Sequence, residues 1–167
     1  ALFDPPPPSF PRHHHHVGPL IWEPASEAPP YLDVPGAPWV LVTVSSAPQP
    51  EEMTLARTAL QTLAAYPVRV VITLTAGHPR DELGVVPANA QIERFVPHSA
   101  VLKRSGLLVS HAGHGIVAKA LYYGVPMVLV PWDRDQPGVA ARAAALGVAE
   151  VVARHDLTEL RLSAAID

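Results

Sequence analysis

The chain has 167 residues, 49% of them apolar, with a formal net charge of −3, which is enough to form one domain with a core of its own. No cluster of Lys and Arg offers an electrostatic footprint to nucleic acid or an anionic surface, and no apolar run approaches the roughly 20 residues a membrane helix needs. The absence of cysteine excludes disulfides and thiolate metal sites and suits a cytoplasmic location.

Residues 1–38 are dense in proline (Pro5 to Pro8, Pro29, Pro30, Pro35, Pro38), which disfavours long helices and predicts an extended linker ahead of a domain spanning residues 39–167. His13 to His16 fall inside this segment. They read as a solvated run, because adjacent side chains of an extended chain alternate sides and make no preformed metal site; a metal-binding tract or tag remnant is the alternative.

After Pro38 the hydrophobic period changes. Trp39 to Ser46 is a continuous, β-branched apolar run, the pattern of a strand buried on both faces. Glu51 to Ala65 places Met53, Leu55, Ala56, Ala59, Leu60 and Leu63 at helical spacing, and Pro67 stops that helix. Strands follow at Val68–Thr75 and Ala90–Phe95, a short helix at Ser99–Arg104 and a strand at Leu107–Ser110. The alternation continues with a helix from Gly115 to Tyr123, a strand Pro126–Val130, a helix Gln136–Leu146 and a strand Ala149–Val152. Such alternation predicts an α/β fold, a Rossmann-like doubly wound parallel sheet with helices on both faces. Sheets of this kind bind ligands at the carboxyl ends of their strands, so the loops after Val44, Thr75, Phe95, Ser110 and Val130 are the candidates.

The loop after Ser110 reads HAGHG, His111 to Gly115, and leads into a helix. Glycines there allow close backbone approach, and the unpaired N–H groups of a first helical turn attract a phosphate. Taken alone, the turn is a weak signal, because glycine also serves to pack a helix on a sheet. His78, between Gly77 and Pro79, reads as a solvated turn residue; His98 and His114 read either as loop residues or as ligand contacts. Asp135 is placed to cap the helix at Gln136 and to face a ligand as well. Trp132 reads as core or pocket rim, and Tyr122 and Tyr123 as packing.

Taken in order, FVPHSAVL (Phe95 to Leu102), LLVSHAGHG (Leu107 to Gly115), KALYYGVPMVLVP (Lys119 to Pro131) and DRDQ (Asp133 to Gln136) resemble the donor-binding signature of inverting, two-domain nucleotide-sugar glycosyltransferases of the GT-B fold. The match includes the bacterial natural-product enzymes and spans roughly Val40 to Thr158. The resemblance implies donor contacts. Phe95 would lie beside the base, with the Val96 backbone at its edge. His111 and the N–H groups of Gly113, His114, Gly115 and Ile116 would surround the pyrophosphate. Asp135 and Gln136 would hold the sugar hydroxyls, and Ser45 and Ser46 would approach the phosphates. It also implies a UDP- or TDP-sugar donor, no metal and no other cofactor.

Two positions depart from that pattern: Ile116 stands where the family has Ser or Thr, and Lys119 where it has a glutamate for the ribose hydroxyls. An ammonium has donors and no acceptor, so it cannot grip a 2′,3′-diol, which leans toward a TDP-sugar. A degenerate, weakly binding domain would show the same changes. VGPLIWEP, Val17 to Pro24, resembles the family's connection into its C-terminal domain. The resemblance therefore implies a donor-binding half with no catalytic residue of its own, the histidine base and acceptor pocket belonging to an N-terminal partner domain. A non-catalytic nucleotide-sugar module and a separate donor-binding subunit are the alternatives; nucleic acid and membrane are not expected partners.

Overall fold

The computed structural model describes residues 3, 9, 11–47, 49 and 51–167. Six strands form one sheet: β1 (Trp39–Thr43), β2 (Arg69–Thr73), β3 (Ala90–Glu93), β4 (Ser105–Ser110), β5 (Met127–Leu129) and β6 (Ala149–Val151). Their spatial order is β3-β2-β1-β4-β5-β6, and every pairing is parallel. The connections are α1 (Met53–Leu63), α2 (His98–Leu102), α3 (His114–Tyr123) and α4 (Gln136–Ala145), and α5 (Glu159–Ile166) follows β6.

The period of two in the strands separates two cores. Leu41, Val71, Leu108, Met127 and Leu129 face α2, α3 and α4, while Val40, Val42, Val70, Ile72, Val109 and Val128 face α1 and α5. Strand β1 is buried along its whole length, as a central parallel strand with helices on both faces must be. Strand order reverses between β1 and β4. The loops leaving these neighbours diverge to opposite faces and leave a crevice at their carboxyl ends.

The expected elements form with shorter limits. The first strand ends at Thr43 instead of Ser46, because the chain must turn toward α1. Helix α5 has no counterpart among the sequence-based elements: it is only eight residues long. Thr158 caps it by accepting the Arg161 N–H at 3.2 Å, and the Tyr66 hydroxyl meets Ser163 Oγ at 2.7 Å, which ties α5 to the end of α1.

The leading segment is folded onto the domain. Pro5 to Pro8 lie outside the described residues, but Phe3 is buried, and Leu32, in a 3-10 turn at Pro30–Asp33, is 3% exposed. The Tyr31 hydroxyl donates to Glu93 at 2.8 Å, Arg69 donates to the carbonyls of Val34 (2.5 Å) and Ala37 (2.7 Å), and Arg104 pairs with Asp33. His13 to His16 are exposed.

Candidate functional site

A cavity of about 580 Å³ occupies the crevice between β1 and β4, lined by Ser45, Ser46, His111, the first turn of α3 and Asp135 and Gln136 before and at the start of α4. A second, of about 490 Å³, lies over β2 and β3 against Arg94, Phe95 and Val96. Both are lined by Trp22, Val44, Ser46, His98 and Lys119, so they form one continuous cleft across the strand ends. A cavity of about 450 Å³ at the opposite end of the sheet has a largely aliphatic lining, including Val40, Leu63 and Val148, and lies away from these loops.

The turn between β4 and α3 builds the centre of the cleft. Ala112 has φ 67, in the left-handed region, which costs a side chain about 1–2 kcal/mol and redirects the backbone from strand into helix. Gly113 then occupies the N-cap position with no side-chain cap, and the helical ladder begins only when the Val117 N–H donates to the Gly113 carbonyl at 3.1 Å. The N–H groups of His114, Gly115 and Ile116 therefore head α3 with no helical acceptor. A Cβ on Gly113 would fall 2.5 Å from Nε2 of His111, so only glycine lets that imidazole lie against the helix start.

His111 is 8% exposed, with Nδ1 3.5 Å from the Thr43 carbonyl. Burial lowers its pKa, opposed by the charge of Glu52 and the Thr43 hydrogen bond. With the Nδ1 proton directed at Thr43, Nε2 faces the α3 terminus, an acceptor when neutral and a donor to an anion when charged. Ile116 is buried in the core, so its contribution to the cleft rim is backbone. His114 also lines the cleft, with its ring 6.1 Å from that of Phe3.

At the far wall, Gln136 is 3% exposed and its Oε1 accepts the N–H groups of Trp132 (2.7 Å) and Asp133 (3.2 Å). This braces the β5–α4 loop and leaves the side-chain amide nitrogen as the donor. Asp135 stands at the N-cap position of α4 and makes no side-chain capping bond; its carboxylate is exposed on the cleft wall. Arg134, with φ 61, adds a guanidinium to the same wall.

Toward the second cavity, Phe95 is 56% exposed, a bare aromatic face, and Val96 beneath it is 2% exposed. His98 opens α2 at the junction, with Nε2 3.1 Å from Thr73 Oγ1; burial, assisted by the Lys119 charge, pushes its pKa down to about 4. Lys119 donates to Glu23 of the leading segment at 2.6 Å, and the same carboxylate accepts the Ser99 N–H at 3.1 and 3.2 Å. Burial works against the charge on Glu23, but the bonds from Lys119 and Ser99 outweigh it and lower the pKa. A carboxylate acceptor thus reaches the position where α3 itself supplies only an ammonium.

The cleft therefore brings together Ser45, Ser46, Phe95, Val96, His111, Gly113, His114, Gly115, Ile116, Asp135 and Gln136. Sequence reasoning quoted the stretches that contain Glu23 (VGPLIWEP) and Arg134 (DRDQ) but gave neither residue a role, because which of their side chains faces the cleft is decided by the fold. The reading of His78 as solvated is corrected: it is 2% exposed and faces Glu52 Oε2 at 3.3 Å, because the turn folds inward over α1. Tyr122 is 70% exposed and meets Tyr123 edge-on at 5.0 Å, so only Tyr123 packs against the core. Among the described residues, no group of three or more His, Cys, Asp or Glu is arranged to hold a metal, and no helix is long and apolar enough to cross a membrane.

A six-stranded parallel sheet with helices on both faces and its loop crevice at the reversal of strand order defines a doubly wound α/β domain. The C-terminal domain of erythromycin biosynthesis protein CIII-like proteins matches residues 57–167, and the chain belongs to that family. It is 35% identical over 158 residues to 4'-demethylrebeccamycin synthase of Lentzea aerocolonigenes, covering 90% of this chain and 36% of the relative. Among solved structures it resembles the calicheamicin glycosyltransferase CalG4, with a TM-score of 0.77 and 28% identity over 98% of this chain and 41% of that one. It also resembles the glycosyltransferase VinC solved in complex with DTDP, with a TM-score of 0.74 and 31% identity over 88% of this chain and 37% of that one. The chain thus spans only about a quarter to two fifths of the length of the relatives it matches, and the structural neighbours are GT-B glycosyltransferases.

Proposed function

We propose that this chain is the donor-binding domain of an inverting glycosyltransferase that uses a UDP- or TDP-sugar to modify a small natural product. The observation that carries the reading is the single cleft running from the exposed ring of Phe95, past Lys119 and the start of α3, to Asp135 and Gln136. The order of its lining groups suits base, ribose, diphosphate and sugar in turn. The VinC structure, with DTDP bound, supports a nucleoside diphosphate as ligand.

In this role the first turn of α3 stabilises the diphosphate as it leaves the anomeric carbon, where negative charge develops, and that charge draws a proton onto His111 Nε2 against the burial that lowers its pKa, making it a donor to the phosphate. Asp135 accepts from sugar hydroxyls while the Gln136 amide nitrogen donates to them. The base that deprotonates the acceptor hydroxyl belongs to an acceptor-binding domain that works beside this one. Helix dipole and side chains neutralise the leaving group, so the reading requires no divalent cation.

Calorimetric titration with TDP and UDP, with and without EDTA, tests the assignment. Binding should be metal-independent, favour TDP, and weaken about 10- to 100-fold in His111→Ala, the loss of one charge-assisted hydrogen bond. Absence of binding by either nucleotide would remove the assignment.

A further inference from the structure

We propose that Glu52 and His78, neither of which lines the cleft, form a buried brace that sets the Ser45–Ser46 loop in the shape that receives the diphosphate. The inference rests on the donor-site reading above and deepens it by naming what holds one of its walls.

Among the described residues, Glu52 and His78 are the two ionisable side chains taken fully out of solvent, at 0% exposure for Glu52 and 2% for His78. Glu52 Oε1 accepts the Ser45 N–H at 2.5 Å, and Oε2 accepts the Gln49 N–H at 3.3 Å and lies 3.3 Å from His78 Nε2. On the other side of the ring, Nδ1 accepts the Thr75 N–H at 3.3 Å and lies 2.8 Å from Thr75 Oγ1. A ring nitrogen that accepts from a backbone amide carries no proton. The proton therefore sits on Nε2, and the imidazole donates to Glu52. The Thr75 and His78 carbonyls in turn accept from Arg94 Nη1 at 2.7 and 2.8 Å, and Arg94 stands beside Phe95.

An unbroken run of hydrogen bonds thus joins the loop after β1, which lines both cavities at their junction, to the loop after β2, which lines the second. A carboxylate taken fully out of water is costly and persists only when its lone pairs are engaged. An ordinary turn could be held by a serine or asparagine at far less cost. The expense fits a loop whose backbone has to be held against the charge of a ligand. Glu51, with φ 63, shows that the chain is also turned out of its ordinary range to bring the Glu52 carboxylate back under Ser45.

Both are positioning residues, so the test compares ligands with and without phosphates. Thymidine and TDP are titrated by NMR into the wild-type chain, Glu52→Gln and His78→Gln, at a temperature where melting curves show all three folded. Glutamine at 52 turns an N–H₂ toward donors, and glutamine at 78 breaks the link to Thr75. We expect thymidine affinity to hold within a factor of two while TDP affinity falls about 10-fold. Equal loss for both ligands, or a lower melting temperature with the TDP-to-thymidine ratio intact, overturns the brace and leaves the donor site standing. A wild-type chain that binds neither ligand overturns both. Imidazole ¹⁵N spectra of the wild-type chain give a second reading that needs no substitution. His78 should appear as the Nε2–H tautomer, and TDP should move its Nε2 resonance where thymidine does not; the other tautomer, or no response to TDP, refutes the proposal.

Discussion

Replacing His98 with glutamine should flatten the acid limb of the stability profile. The neutral imidazole is the folded form, since burial first and the Lys119 charge second push its pKa from 6.5 down to about 4. In the unfolded chain the ring titrates normally. Its stabilising contribution is therefore complete above pH 6.5 and is lost as pH falls from there toward 4, where the unfolded state binds a proton that the folded state refuses. The gap is worth about 3 kcal/mol below both values and about 2 kcal/mol at pH 5 relative to pH 7. For a chain of this length, the wild-type Tm should then fall about 4–8 °C further than the Tm of His98→Gln between pH 7 and pH 5. Glutamine keeps a partner for Thr73 Oγ1 and does not titrate in this range. Thermal unfolding followed by circular dichroism at half-unit steps from pH 7.5 to 4 gives the comparison. Carboxylate losses, including that of Glu23, fall below its ordinary value of 4.5 and are common to both proteins. Parallel curves between pH 7 and 5 would show that His98 is free to protonate in the folded state and would refute the reasoning.

Gly113→Ala should weaken TDP binding about 10-fold with little change in Tm, because the backbone there (φ −62) tolerates alanine but the new methyl would meet His111 Nε2 at 2.5 Å. Titration beside a melting curve checks it, and unchanged affinity would mean that His111 does not need that position. Glu23→Ala strands the Lys119 ammonium and the Ser99 N–H, whose shared carboxylate is only 16% exposed, and should cost about 1–3 kcal/mol in denaturant unfolding. Adding Lys119→Ala should recover part of that loss, since the cation left unpaired is then gone. If the Glu23 carboxylate also accepts from ribose hydroxyls, Glu23→Gln lowers affinity for UDP more than for TDP; equal effects on the two would confine Glu23 to a structural role.

The order of strands and helices was legible from residue patterns. Continuous β-branched runs such as Trp39 to Val44 and the helical spacing from Met53 to Leu63 report burial on two faces and on one, and burial is imposed locally by each side chain's affinity for water. The glycine turn at His111 to Gly115 was legible for the same reason, because backbone reach is a property of the turn's own residues. Helix α5 was not, since eight residues with one buried leucine acquire their shape from Tyr66 and α1 across the fold. Nor could the sequence place Glu23 beside Lys119, 96 positions away, or Glu52 beside His78, 26 away. A lone carboxylate or imidazole has the same affinity for water wherever it stands in the chain. Only the packed sheet decides which ones lose that water and must be paired with each other.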